Sequence, residues 1–550
     1  MLIHLRTKNM PRSFAKVGRL ICGLLPLFAL TSIGNTESAS KPIPAIAKTG
    51  ESFRLLVDGN PYLMLGGQVH NSDTANAEDL NKALDVLASW HANTAEVPIY
   101  WEAIEPKQGQ FDFSSVDLAI QAARKRELRL VFLWFGTWKN GESHYVPEWV
   151  KRDKQKYVRV RGAQGEETEI ISPLCRAAME ADSHAFSALL QHVKSVDQAE
   201  RTVLMVQVEN EPGLVGTDRD YSEAANHLFD GPVPKELLGF LESHRQQLSA
   251  PMAHVWNKSP KSGNWKQVFG EFAPESFSAW LVSNYVNTVA AAGKREYPLP
   301  MYVNVWLIEG VERPGRWPSG GATVNMLDVW KASAPAIDVL APDIYYPKFY
   351  DVAAQYHRPD NPLFVPETNF NPYFIGFAYT TFGYFNGIGF SPFGIDDVLK
   401  GGAPAAIGAG FEDTYRVLRP LLPLISRYQY TGKLHPVLQG LANGEDWKES
   451  IRVSDRLAAN IEFTAAFDPV KGRACGMIIA LAPDDFIVMG TGFDVKFREM
   501  EGPLRDAQLI SIEEGTFQGD QWIASRRLNG DERHVSLPER STLLRVRVAN

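Results

Sequence analysis

Two glutamates, Glu211 and Glu367, each stand at the end of a short apolar run of the sequence. The run before Glu211, residues 203–206, has the length and β-branched character of a buried strand, and a Pro-Gly pair then turns the chain away. Residues 362–365 precede Glu367 in the same way. A buried carboxylate is costly unless it is paired, so each glutamate is either hydrogen-bonded or functional. Two glutamates at two strand ends are the equipment for glycoside hydrolysis.

The structural alternative is that both glutamates cap loops or pair with arginines. Arg201 is near Glu211 in sequence, but it precedes the strand and is therefore a poor partner. The alternation of side chains along a strand places Gln207, Glu209 and Glu211 on one face. We therefore expect Glu209 in the hydrogen-bonded surroundings of Glu211.

The elements that must position these residues alternate between strands and helices. Eight strand candidates are separated by helical segments such as residues 77–90, 117–125 and 185–196, a rhythm typical of a (β/α)8 TIM barrel, in which active sites lie at the carboxyl ends of the strands. A doubly wound open sheet is the alternative, but no glycine-rich phosphate loop follows a strand. The strand candidates are residues 62–67, 93–101, 128–135, 203–206, 301–306, 337–341, 363–365 and 387–390.

The sequence changes character at about residue 432. Short alternating runs, punctuated by Gly, Asp, Asn and Pro, predict a small all-β antiparallel sandwich. At 550 residues the chain is also too long for one core. We therefore predict a barrel over residues 41–431 and a sandwich over residues 432–550.

The first forty residues have the order of a secretory signal. Arg12, Lys16 and Arg19 precede the apolar run 20–30, and small and polar residues follow as far as Ser40. The run is too short to span a bilayer. We therefore expect residues 1–40 to be removed on export to the periplasm or the medium, with no membrane attachment afterwards. Two cysteines then remain, Cys175 and Cys475, and both are expected to be buried free thiols.

Composition excludes other classes of function. The net charge of −8 argues against a nucleic-acid partner, whose phosphates need a basic face. The histidines are scattered without ligand spacing, so we expect no catalytic metal, and no other cofactor is indicated. A Gly-x-Ser-x-Gly nucleophile elbow is absent from the sequence.

Several segments together resemble the family 35 β-galactosidases among the glycoside hydrolases, in their bacterial form. The resemblance covers residues 50–430. It rests on Leu56-Val57-Asp58-Gly59-Asn60-Pro61, Gly66-Gly67-Gln68-Val69-His70, Trp101, Glu105-Pro106, Gly109-Gln110-Phe111-Asp112-Phe113 and Gln207-Val208-Glu209-Asn210-Glu211.

The resemblance implies Glu211 as the acid/base, Glu367 as the nucleophile and Asn210 as a hydrogen-bond partner of the sugar. The outline of the segment 136–142 implies sugar-binding roles for Asn140 and Glu142.

Aromatic residues at strand ends complete the candidate site. Tyr345 is placed to donate a hydrogen bond to the Glu367 carboxylate, the alternative being an aromatic packed at the barrel rim. Trp101 and Trp306 are candidate platforms for a sugar face, the alternative being core.

These features favour a retaining exo-β-galactosidase that removes terminal β-galactosyl residues from oligo- or polysaccharide side chains. Another β-glycosidase or an endo-glycanase on the same barrel is the second hypothesis. A non-catalytic carbohydrate-binding protein is the third, and the presence of both glutamates argues against it. We expect the long connection over residues 214–296 to wall off one side of the site, which favours exo action. The sequence leaves the oligomeric state open.

Overall fold

The structure, a computed structural model, describes residues 41–308, 310, 312–440, 447–466, 472–501 and 505–549. The predicted signal segment, residues 1–40, lies outside the described residues.

Strands and helices alternate as far as Tyr428, and strands follow from Leu434. The strands are β1 Ala45–Thr49, β2 Ser52–Val57, β3 Asn60–Tyr62, β4 Met64–Leu65, β5 Thr94–Tyr100, β6 Arg129–Lys139, β7 Arg159–Arg161, β8 Glu167–Ile171, β9 Val203–Asn210, β10 Met301–Trp306, β11 Val339–Ile344, β12 Phe364–Val365, β13 Glu367–Thr368, β14 Gly389–Phe390, β15 Leu434–Leu438, β16 Lys448–Arg452, β17 Leu457–Phe463, β18 Cys475–Ala482, β19 Asp485–Thr491, β20 Phe493–Glu499, β21 Leu509–Gln518, β22 Gln521–Arg527, β23 Val535–Leu537 and β24 Thr542–Val548. The α-helices are α1 Ala77–Ser89, α2 Trp101–Ile104, α3 Ser114–Arg124, α4 Glu148–Arg152, α5 Arg176–Asp197, α6 Glu223–Asp230, α7 Lys235–Ser243, α8 Ala250–Lys258, α9 Trp265–Phe269, α10 Ala273–Glu296, α11 Leu327–Ser333, α12 Phe349–Tyr356, α13 Phe377–Gly383, α14 Gly402–Leu418 and α15 Leu422–Tyr428.

Two parallel sheets carry the candidate site. Six strands pair in the order β13-β11-β10-β9-β6-β5, and three more pair in the order β12-β14-β4. Isolated parallel bridges from Gln68 reach Glu96 on β5 and Phe393 beyond β14. The prediction of parallel strands joined by helical crossovers is therefore confirmed.

Apolar side chains pack on both sides of this parallel array. Alternate strand residues, such as Val131, Leu133 and Met205, form one buried cluster with residues of β4, β10 and β11. Their neighbours, such as Phe132 and Val206, join the larger cluster that the helices cover. Because side chains alternate between these two clusters, each strand is packed on both faces and its end is held in a fixed position.

The first α-helix and the hairpin of β2 and β3 follow from local sequence signals. In α1 the side chain of Asn76 accepts a hydrogen bond from the backbone N–H of Asp79 at 2.9 Å, which caps the helix. Strands β2 and β3 pair antiparallel across Asp58 and Gly59, whose φ angles of 53° and 79° suit a tight hairpin turn. Helix α14 ends at Leu418, two residues before Pro420, and α15 begins two residues after that proline, which cannot continue a helix.

Antiparallel sheets make up the carboxyl-terminal part. One sheet has the order β15-β18-β19-β24-β21-β22 and the other β16-β17-β20-β23. Apolar residues of both sheets, among them Ile461, Val488 and Val546, share one buried cluster. The all-β character predicted for this part is confirmed, and the division at residue 432 stays a prediction.

Two further expectations concern cysteines and membranes. Cys175 and Cys475 are both buried and free. Within the described ranges, the longest and most apolar helices fall short of what crossing a membrane requires.

Candidate active site

Glu211 lies where β9 leaves the parallel sheet. All eight residues of β9 are buried, and the Glu211 side chain that follows is only 8% exposed. The backbone is unusual here, because Glu209 and Glu211 have φ angles of 64° and 44°, a region that side-chain-bearing residues rarely adopt. The backbone N–H of Glu211 donates to Oδ1 of Asn304 on β10 at 2.8 Å. The neighbouring strand therefore holds this turn in place.

Glu209 does not share a face with Glu211, and that part of the sequence interpretation is wrong. Its Oε2 accepts a hydrogen bond from the backbone N–H of Trp138 at 2.7 Å, and its carboxyl group bonds to Asp182 on α5. Glu209 therefore faces the helix layer. The positive φ angle at Glu209 interrupts the alternation on which the prediction depended.

Glu367, at the start of β13, is surrounded by hydrogen-bond donors. Its Oε1 accepts from the side-chain amides of Gln68 at 3.0 Å, Asn304 at 3.4 Å and Asn210 at 3.5 Å. Its Oε2 accepts from the Tyr345 hydroxyl at 2.7 Å, the contact that the sequence suggested. Amide and hydroxyl donors on both oxygens suit an ionised carboxylate, which only accepts hydrogen bonds.

The two glutamates differ in electrostatic environment. Burial, and next the negative charge of Glu367, raise the pKa of Glu211 to about 7, while Lys139 and a hydrogen bond with Asp343 act in the opposite direction. Glu211 is thus a carboxyl group that keeps a proton near neutral pH, next to a carboxylate equipped with donors. Two neighbouring carboxyl groups in such different environments can serve as acid and nucleophile.

Asn210 and Asn140 are brought together at the ends of β9 and β6. The backbone N–H of Asn140 donates to the carbonyl oxygen of Asn210 at 3.1 Å. Lys139 donates from Nζ to Oδ1 of Asn210 at 3.0 Å, and it also donates to Oδ1 of Asn140. Both predicted asparagines therefore lie in the site, joined by a lysine that the sequence interpretation did not select.

Trp306 and Trp101 have different surroundings. Trp306 is half-buried at the end of β10, in register with Asp343 on β11, and so borders the site. Trp101 is completely buried, and its Nε1–H donates to Oε2 of Glu105 at 3.0 Å. The structure contradicts the prediction that Trp101 is a sugar platform, because no face of its ring is accessible.

Glu142 lies outside this network of hydrogen bonds. Its side chain is 46% exposed, and its Oε2 lies 3.4 Å from Nδ1 of His144. Glu142 and Lys139 pair through their backbones in a tight turn. The turn directs Glu142 to the surface near His144, and its sugar-binding role stays a prediction.

Four further polar residues of the site were not selected from the sequence: Gln68, Lys139, Asn304 and Asp343. Asn304 is central, because it contacts the backbone of Glu211 and the carboxyl groups of Asp343 and Glu367. These residues share one signal, a polar side chain within or directly after an apolar run that forms a parallel strand. Selecting every polar residue at the end of a predicted strand as a site candidate would have identified them.

The part of the chain that the structure describes contains no candidate metal site. No group of three or more His, Cys, Asp or Glu side chains in those residues is arranged to hold a metal ion.

Paired buried glutamates at the ends of parallel strands are the arrangement that glycoside hydrolysis uses. Residues 54–255 match the family model described as glycosyl hydrolases family 35, which confirms the resemblance that the motifs predicted. The matched region contains Glu211 and ends before Glu367. Residues 411–537 match a second model, described as a domain of unknown function, DUF5597.

Individual proteins resemble parts of the chain. A β-galactosidase of Xanthomonas manihotis is 28% identical over 194 residues, which is 32% of this chain and 30% of that relative. The crystal structure of a β-galactosidase from Bacillus circulans sp. alkalophilus has 15% identity and a TM-score of 0.45, covering 66% of this chain and 57% of that one. The catalytic domain of a β-amylase from Paenibacillus polymyxa has 13% identity and a TM-score of 0.46, covering 64% of this chain and 97% of that one. The chain thus spans less than a third of the length of the Xanthomonas relative.

Proposed function

We propose that the protein is a retaining exo-β-galactosidase that hydrolyses terminal β-galactosyl residues of oligo- or polysaccharide side chains. One observation carries the proposal: Glu211, with its pKa raised to about 7, and Glu367, with donors on both oxygens, are joined through Asn304 in one buried site. This is the acid and nucleophile pair that retaining glycosidases require.

We further infer that the two parallel sheets form one closed (β/α)8 barrel. Strands β12 and β13 are separated only by Pro366, and they pair with β14 and β11, respectively. The Gln68 bridges join β4 to β5 on the other side. A doubly wound sheet would reverse its strand order partway, whereas β5 to β13 follow one another in a single direction. The two antiparallel sheets with their shared core support a sandwich after residue 432.

In the first step Glu367 attacks the anomeric carbon and Glu211 gives its proton to the leaving oxygen. Burial and the charge of Glu367 keep that proton on Glu211 in the resting enzyme. Asn210 donates to Oε1 of Glu367 and is directly joined to Glu211 along the chain, so it is placed to hold the sugar between them.

In the second step Glu211 accepts a proton from the attacking water. The covalent bond removes the charge of Glu367, which had raised the pKa of Glu211, and that pKa then falls. Glu211 becomes a carboxylate able to act as base, and hydrolysis releases the sugar with its configuration retained.

Galactose as the sugar rests on the family 35 match and on the name of the Xanthomonas relative. Exo action is supported by a closed side of the site. The connection after Glu211 is tied to the connection after β10, because Leu214 and Ser319 exchange backbone hydrogen bonds of 3.0 and 2.9 Å. A cavity of about 1340 Å³ lies beside these connections, lined by Val215 and Trp317 among others, but neither Glu211 nor Glu367 lines it.

A panel of aryl glycosides tests the proposal. We expect the aryl β-galactoside to be hydrolysed fastest and Glu367→Gln to abolish turnover, because the amide is no nucleophile. Glu180→Gln is the matched control, since it makes the same chemical change at a glutamate on α5 whose side chain is 59% exposed and paired with Arg176. Fast hydrolysis of another sugar with galactoside inert would refute the specificity, and binding without any turnover would favour a carbohydrate-binding protein.

We also propose that the enzyme works outside the cytoplasm, in the periplasm or the medium. The basic, apolar and small-residue order of residues 1–40 supports this localisation.

A further inference from the structure

Asp343, on β11, stands between the two glutamates of the site. It is in register with Glu367 on β13, it is only 2% exposed, and its Oδ2 accepts a hydrogen bond from Nδ2 of Asn304 at 2.9 Å. Its carboxyl group is also hydrogen-bonded to that of Glu211. Oδ1 of Asp343 is buried, and no amide, hydroxyl or ammonium group of the described residues donates to it.

A hydrogen bond between two carboxyl groups requires a proton on one of them, because an ionised carboxylate can only accept. We propose that Asp343 stays protonated through the reaction and is a positioning residue that donates its proton in a hydrogen bond to Glu211. This proposal rests on the proposed glycosidase function. It adds a third carboxyl group, with a role distinct from those of Glu211 and Glu367.

Charge supports this distribution of protons. Asp343 and Glu211 are both near the negative charge of Glu367, and the positive charge of Lys139 acts on both. Burial, followed by the charges of Glu367 and Glu211, holds the pKa of Asp343 well above its usual range. The hydrogen bond between Asp343 and Glu211 raises the pKa of Asp343 and lowers that of Glu211. Both directions fit Asp343 as the donor.

The consequence falls on the second half of the reaction. Glu211 is a carboxylate after it has given its proton to the leaving oxygen, and a carboxylate buried in this site needs donors. Asp343 supplies such a donor without losing its own proton. In this step the only proton transferred is therefore the one that Glu211 takes from water. Asp343 thereby stabilises the base form of Glu211.

The alkaline limb of kcat/KM distinguishes a protonated from an ionised Asp343. In Asp343→Asn the amide keeps an acceptor for Asn304 and a donor for Glu211, and it carries no charge. If Asp343 is a neutral donor, the midpoint of the limb in Asp343→Asn stays within about 0.3 pH units of the wild-type midpoint, even if the maximal kcat/KM changes. If Asp343 is ionised in the wild type, the variant removes a negative charge beside Glu211. The midpoint then falls by about one unit or more, which would overturn the proposal.

Asp343→Ala supplies the opposite case. Loss of the donor destabilises the Glu211 carboxylate, so we expect the midpoint to rise by about 1 to 2 units, the equivalent of a hydrogen bond to a charged group. An alanine midpoint equal to that of the asparagine variant would show that donation is irrelevant and would refute the proposal. A thermal melt of each variant identifies any that does not fold.

An infrared difference spectrum tests the proton without turnover. At a pH above the Glu211 titration, wild-type enzyme labelled with ¹³C-carboxyl aspartate should show a protonated carboxyl band that Asp343→Asn lacks. Absence of that difference would contradict the proposal even if the enzyme proved to act on another sugar. Failure of the proposed function would instead appear as inactivity on every glycoside with the band still present.

Discussion

The raised pKa of Glu211 predicts how the rate depends on pH and on the leaving group. With a pKa of about 7, Glu211 is protonated in about one molecule in eleven at pH 8 and in about one in a hundred at pH 9. Because kcat/KM reports the free enzyme, its value for phenyl β-galactoside should fall about tenfold per pH unit above 7. Dinitrophenyl β-galactoside needs no proton to leave, so its alkaline limb should be weak or absent.

Replacing the carboxyl group isolates this effect. Glu211→Gln cannot give up a proton, so we expect no alkaline limb between pH 6 and 9. We also expect a loss of about 10²- to 10⁴-fold in kcat/KM for the phenyl substrate, the usual contribution of general acid catalysis. The dinitrophenyl substrate should lose far less in its first step.

Initial rates are measured by absorbance at each pH for wild type and for Glu211→Gln. Each enzyme is assayed with both substrates, which gives four pH profiles. Glu180→Gln is again the matched control, and it should keep the wild-type midpoint because its side chain pairs with Arg176 at the surface. A limb of equal steepness for both leaving groups, or one that survives in Glu211→Gln, would assign the titration to another group. Either result would refute the argument that Glu211 is the acid.

Three further predictions test stereochemistry, stability and export. Glu211→Ala should form a β-glycosyl azide in the presence of azide, and NMR of wild-type turnover should show the β-anomer first, whereas an α-anomer would indicate inversion and a wider carboxyl separation. Glu275 is 1% exposed and its pKa is raised to about 7, chiefly by burial, so its stabilising contribution is complete below the unfolded pKa of about 4.5 and is lost as pH rises through 7. Urea unfolding should therefore show Glu275→Gln gaining up to about 3 kcal/mol relative to wild type between pH 5 and pH 8, and an equal pH dependence in both proteins would contradict this. Mass spectrometry of the exported protein should find a mature start near Lys41, and retention of residues 1–40 would exclude the signal.

Periodicity and strand ends predicted much of the fold. The apolar runs before Glu211 and Glu367 became β9 and the β12–β13 pair. Pro420 lies between α14 and α15, whereas Pro423 lies in the first turn of α15, where a proline is tolerated. What the sequence could not supply was the direction in which a polar residue at a strand end points. Trp101 shows this, because it directly follows β5 and yet turns into the core to meet Glu105.

The donors around Glu367 show a second limit. Gln68, Asn210, Asn304 and Tyr345 come from four separate segments, and their convergence depends on the register of the parallel strands. Period-two patterns fix which residues face inward, but they do not fix the shift between neighbouring strands. A polar residue in an apolar run therefore indicates a buried partner without naming it.

Two glutamates separated by one asparagine illustrate why local geometry decides function. Positive φ angles at Glu209 and Glu211 cost backbone energy, and such strain persists only where surrounding contacts impose it. Trp138 and Asp182 hold Glu209 on the helix side, and Asn304 holds the backbone of Glu211 on the site side.

Glycine is required beside this arrangement. A Cβ atom added at Gly136 would stand 2.8 Å from Oε1 of Glu209 and 2.9 Å from Oδ1 of Asp182, so a side chain there would displace the pair. Both glutamates of the motif are thus hydrogen-bonded to an aspartate, Glu209 to Asp182 and Glu211 to Asp343. The first pair fastens the strand to α5 and fixes the backbone, so Glu211 can give up and regain its own proton while its position is held.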